Sequence, residues 1–110
     1  MVVRSIKDSI GLEKGTVIEK GRTFDVYHIE NGWYVFKEYI DEYYEAGDFE
    51  ILKQEKVRYI GKTTKAEDLI YGHIYVRLGE DSVTGDFKVV DESGDDYCYN
   101  PKSFEKLDGN

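Results

Sequence analysis

Few residues in this 110-residue chain could carry covalent chemistry. The histidines are His28 and His73, and the one cysteine is Cys98. Base catalysis, thiol chemistry or zinc ligation needs such groups to converge, with a further partner beside them. No HxxxH or HExxH spacing occurs, so each histidine is expected as an ordinary strand residue. Cys98 stands between Tyr97 and Tyr99 on an expected strand, where its side chain points opposite to theirs and fills a small core position. Phosphate-cradling loops of the GxGxxG or GxxxxGK[ST] kind are absent. The stretch DESGDDYCY sets Asp91, Glu92, Asp95 and Asp96 around Ser93-Gly94. It lacks the ligand alternation and closing glutamate of an EF-hand loop. Paired carboxylates also serve glycoside hydrolysis, but a domain this small offers no cleft for a sugar. The expectation is no enzyme, no metal and no cofactor.

What remains is surface. The segment WYVFKEYIDEYYEAGDFE, residues 33–50, interleaves seven aromatic residues with acids. Trp and Tyr anchor protein interfaces because they bring large area with few rotors. Acid beside aromatic suits a basic partner, and rim charges steer association while buried rings hold it. The expected partner-binding face is therefore Trp33, Tyr39, Tyr43 and Tyr44 with Asp41, Glu42 and Glu45. A second acidic edge is expected at Asp91, Glu92, Asp95 and Asp96, beside Tyr97 and Tyr99. Two blander readings compete. DESGDD is also what a solvated hairpin tip looks like, and Tyr43 and Tyr44 could cover a seam between two halves of the chain.

Composition narrows the partners. Net charge is −8 with a pI near 4.7, and no window concentrates Lys and Arg. Direct binding to nucleic acid or an anionic membrane is disfavoured, while a basic protein partner stays open. A single cysteine fits a reducing compartment. No apolar run approaches the roughly 20 residues that span a bilayer. MVVRSIKDS lacks the apolar stretch of a secretory signal, so a cytoplasmic location is expected.

The elements that must position these residues are strands. Ten tyrosines and eleven glycines against one proline lean towards an all-β chain. FDVYHI places Phe24, Val26 and His28 on one face, and GHIYVRL alternates Ile74, Val76 and Leu78 with Tyr75 and Arg77. Asn31-Gly32 is the strongest hairpin signal, since both residues accept positive φ.

The pattern runs twice. Val3-Arg4-Ser5-Ile6 answers Val57-Arg58-Tyr59-Ile60, KGTV from Lys14 answers YGHI from Tyr71, and DFEIL from Asp48 answers SFEKL from Ser103. FDVYHIENG is set against FKVVDESG, which places Ser93-Gly94 opposite Asn31-Gly32. Residues 1–54 hold 7 basic and 11 acidic groups and residues 55–110 hold 8 and 12, so each half carries −4. The expected organisation is a first copy over 1–53 and a second over 55–108. The joint is short, so the halves should pack together.

Each copy resembles the small SH3-like barrels of bacterial and phage proteins. The second copy carries the likeness better, in VRYIG, FKVVDESGDDYCY and Pro101-Lys102-Ser103-Phe104-Glu105. The first lacks the proline and has IDEYYEAG in place of a short turn. The resemblance implies two tandem barrels, and Tyr97, Tyr99 and Pro101 near a peptide groove. It implies fold more than activity. Two functional expectations follow. The first is a protein-binding module with an acidic-aromatic face, in its sharper form an inhibitor of anti-CRISPR or anti-restriction type that blocks a basic nucleic-acid-binding surface. The other is a structural or accessory subunit whose acidity only confers solubility.

Overall fold

Apolar residues at every second position, broken by Gly, Asn and Asp, leave the chain no route to a helix. The computed structural model describes residues 1–61 and 68–107. It is all-β, with two 3₁₀ turns as the only helical pieces among the described residues. No helix there is long and apolar enough to cross a membrane. The chain divides into two compact units, Met1–Lys53 and Gln54–Asn110. The second copy's first loop, over 62–67, and its end at 108 lie outside the described residues.

The first unit runs β1 (Val2–Ser5), β2 (Ser9–Ile10), β3 (Val17–Ile18), β4 (Thr23–Glu30), β5 (Trp33–Phe36), β6 (Tyr39–Glu45) and β7 (Phe49–Lys53). Its main sheet has the order β6-β5-β4-β1-β7, and β2 and β3 form a separate small hairpin. Asn31 and Gly32, at φ 50° and 82°, make the tight β4–β5 turn that their types call for. Ala46–Asp48 is a 3₁₀ turn leading into β7.

The second unit repeats this order with β8 (Glu55–Tyr59), β9 (Ile74–Glu80), β10 (Phe87–Val90), β11 (Asp96–Tyr99) and β12 (Phe104–Lys106), arranged β11-β10-β9-β8-β12. The hydrogen bonds fix the correspondence. Gly21 N–H donates to Ser5 O at 2.8 Å, and Gly72 N–H donates to Tyr59 O at 2.8 Å. Arg4 ion-pairs with Glu50 across β1 and β7, and Arg58 with Glu105 across β8 and β12. Thus β4 answers β9, β5 answers β10 and β6 answers β11. This corrects two pairings: YGHI answers the chain at Gly21 and not KGTV, and FDVYHIENG does not answer FKVVDESG. The two stretches share a Phe-x-Val start and a polar turn but stand one strand apart. Ser93-Gly94 closes the β10–β11 hairpin, whose counterpart is the β5–β6 turn.

The closed barrels expected from the sequence are not formed, because neither five-stranded ladder pairs its two edge strands. The first sheet still curls round its core. Register shifts interrupt the β1–β7, β4–β5 and β5–β6 ladders, and such bulges add twist. As a result Tyr44 of one edge strand meets Phe49 of the other, with ring centroids 6.4 Å apart. Phe36 lies between them in effect, stacked on Phe24 at 4.7 Å and edge-on to Phe49 at 5.1 Å. Each such ring contributes about 1.5–3 kcal/mol by leaving water.

Among the described residues the core of the second unit joins Val57, Tyr59, Leu69, Tyr75, Phe87, Val89 and Phe104. Alternation in β9 is reversed from the sequence reading over Ile74–Arg77, whereas Leu78 is buried as expected. Tyr75 and Arg77 point inward while Ile74 is half exposed. The register to β8 explains it, since Tyr75 sits opposite the core residue Val57.

Candidate functional site

Two of the seven residues expected on the first binding face, Tyr44 and Glu42, belong to the interior. Tyr44 is fully buried and donates its hydroxyl to Thr16 O at 2.9 Å. Burial pushes that phenol up to about 12. Glu42 is 1% exposed and accepts from the backbone N–H of Glu13 at 2.7 Å and of Lys14 at 2.8 Å. Burial raises its carboxyl, but the N–H groups of Glu13, Lys14, Tyr43 and Thr16 together outweigh that and leave it below the ordinary value. Tyr39 is half-buried against Phe24 and Tyr44. Neither Tyr44 nor Glu42 can meet a partner.

The acidic tip of the second unit divides in the same way. Asp91 is buried and accepts the Ser93 N–H at 2.9 Å and the Tyr99 hydroxyl at 2.7 Å. Its carbonyl accepts Gly94 N–H at 3.0 Å, and Gly94 has φ 87°. This is an Asx turn in which the aspartate side chain builds the hairpin. Asp96 is also buried. Glu92 and Tyr97 are exposed, and Asp95 and Tyr99 are half-buried. Only part of the expected charge therefore faces solvent. Cys98 is exposed and not a core residue, because it pairs with Lys88 on the outer face of the sheet, while its neighbour Tyr99 pairs with the buried Phe87. His28 lies in β4, whereas His73 precedes β9 and is exposed.

Two of the expected residues do come together. Trp33 and Tyr43, with Leu12, Glu13, Glu30 and Asn31, line a groove of about 260 Å³ in the first unit. Strand pairing places them. Trp33 lies opposite Glu45 and Tyr34 opposite Tyr44, so Tyr34 and Tyr44 turn inward while Trp33 and Tyr43 are diagonal neighbours on the outer face. Asn31 comes from the β4–β5 turn, and Leu12 and Glu13 come from the β2–β3 tip. The Tyr43 hydroxyl donates to Glu30 Oε2 at 3.3 Å, and His28 Nε2 is 3.6 Å from the same carboxylate. The Glu30 charge holds the Tyr43 phenol above its ordinary value. Asp41 is exposed but ion-paired with Lys14.

Sequence reasoning missed Leu12, Glu13, Glu30 and Asn31. The available signal was Leu12, a lone apolar residue in the polar run GLEKGT, and the proximity of Trp33 to a tight turn. Chemically, the groove offers apolar ring surface between two carboxylates and no nucleophile. Among the described residues no group of three or more His, Cys, Asp or Glu is placed to hold a metal ion. Compared with known proteins, the chain matches no family model, no curated sequence and no solved structure.

Proposed function

We propose that this protein is a non-enzymatic protein-binding module whose first unit takes a short segment of a basic partner in the Trp33–Tyr43 groove. The observation that carries this reading is the placement of two large rings at a groove flanked by Glu13 and Glu30. A ring face beside a carboxylate suits Arg or Lys, which the ring attracts by cation–π contact and the carboxylate by charge. An apolar neighbour on the ligand would meet Leu12. The net charge of −8 favours approach of a cationic partner.

In this reading each unit is an SH3-like fold. Support comes from the order β7-β1-β4-β5-β6, the hairpin in the first long connection and the 3₁₀ turn before the last strand. The second unit lacks the ring pair. By its pairing, Asp86 stands where Trp33 does and Cys98 where Tyr43 does. Inhibition by mimicry of nucleic acid draws less support, because Glu42, Asp91 and Asp96 are buried.

The test is to pan a random-peptide library against the full chain and against W33A/Y43A. Selected peptides should pair Arg or Lys with an apolar residue and bind the variant much more weakly. Equal binding to both proteins, or peptides without positive charge, would overturn the reading.

A further inference from the structure

Four consecutive residues of β6 hold the tip of the β2–β3 hairpin, each with a different group. Asp41 ion-pairs with the Lys14 ammonium. The Glu42 carboxylate accepts from the N–H groups of Glu13 and Lys14. The Tyr43 carbonyl accepts from Leu12 N–H at 2.9 Å, and the Tyr44 hydroxyl donates to Thr16 O. Leu12 and Glu13 are also the lip of the groove that faces Trp33 and Tyr43.

Glu42 differs from the other three. It is buried, and the chain makes room for it, since a Cβ on Gly11 would fall within its carboxylate group. Gly11 is not at positive φ, so glycine there answers a need for space and not for conformation. An ionised carboxylate has two acceptor oxygens and no hydrogen, so it can take two successive N–H groups at once. Glutamine of the same shape would turn an NH₂ against one of them.

We propose that Glu42 is a positioning residue, which fixes the Leu12–Glu13 lip relative to Trp33 and so sets the width of the groove. The consequence for binding rests on the groove reading given above, but the positioning itself does not. Trp33 is the only tryptophan, which makes its fluorescence a reporter of the lip without any ligand.

The experiment compares acrylamide quenching of Trp33, and hydrogen exchange of the Glu13 and Lys14 amides, in the full wild-type chain, E42Q, G11A, E42Q/G11A and D41N. E42Q and G11A should each raise quenching about two-fold and speed exchange about ten-fold or more, as local opening without global unfolding does. The double variant should be no worse than either single one, because both break the same contact. D41N loses only an exposed ion pair and should change both readings far less than E42Q. Unaltered quenching and exchange in E42Q would overturn the proposal. So would additive losses, or loss of the whole fold in both single variants, since Glu42 would then support the unit and not the lip. Failure of W33A/Y43A to weaken peptide binding would remove the groove reading and leave the quenching result intact.

Discussion

Val26 and Arg77 occupy the same position in the two sheets, one as a fully buried apolar residue and the other as a charged residue only 8% exposed. Each lies two residues beyond the ring, Phe24 or Tyr75, that faces the valine of the neighbouring strand. Across the next strand Val26 meets Phe36 and Arg77 meets Val89. The smaller Val89 leaves room for the long side chain. Arg77 lays its guanidinium over Phe87, 4.8 Å from the ring centroid, and ion-pairs with Glu55 and Glu80. Its Nε is buried with no hydrogen-bond partner.

A buried ion pair with an unsatisfied donor is a weak source of stability, and apolar replacements of similar length are often neutral or better. R77M should therefore unfold in urea within about 1 kcal/mol of wild type, or above it. R77A removes the packing of the stem as well and should lose about 2–3 kcal/mol. A large loss in R77M would mean that the pairs with Glu55 and Glu80 stabilise more than their half-exposed geometry allows.

Alkali should unfold the protein through particular phenols. Burial pushes Tyr44 and Tyr75 each up to about 12. A folded pKa above the unfolded one means that both residues add stability which is full below about pH 10 and is lost as pH rises towards 12. Phenolate absorbance should thus rise in two phases, with Tyr44 and Tyr75 in the second. The second phase should coincide with loss of the β-sheet circular dichroism. A single smooth titration of all ten tyrosines with the fold intact would contradict the buried placement.

Acid acts on Glu42 with the opposite sign. Its folded pKa lies below the ordinary 4.5, so its contribution is present above that value and is lost as pH falls through the folded pKa. Exchange of the Glu13 and Lys14 amides, corrected for its intrinsic pH dependence, should quicken in wild type only once pH has fallen below 4.5. In E42Q it should be fast and flat across the same range. A wild-type profile as flat as the variant's would show that the carboxylate does not hold these amides.

Much of the β architecture was legible because it rests on local signals. Asn31-Gly32, the alternation of FDVYHI and the recurrence of VRxI and xFExL are each visible within a few residues. The burial of Glu42 was not, since its partners Glu13 and Lys14 lie 29 and 28 residues away and a charged side chain defaults to solvent. Tyr43 and Tyr44 are indistinguishable by type, and only the shift in the β5–β6 ladder decides which one turns out. Asp91 was readable as part of a turn. That its carboxylate points inward to Tyr99 depends on β11 returning beside it.

The same division of residues fixes what charge and ring substitutions should do to binding. Asp96, expected on an exposed acidic edge, is buried. D96K should therefore destabilise the second unit, by about 3 kcal/mol or more for an uncompensated buried charge, and reveal nothing about association. The exposed residues to reverse are Glu13 and Glu30, beside the rings. Against a peptide selected on the wild type, E13K/E30K should slow association and flatten its salt dependence, because these charges act at a distance. W33A or Y43A should leave association nearly unchanged and speed dissociation by a factor of about 30, the equivalent of roughly 2 kcal/mol for an anchor ring. Stopped-flow kinetics at low and high salt separate the two effects. Dissociation rates indifferent to both ring truncations would place the binding surface elsewhere on the chain.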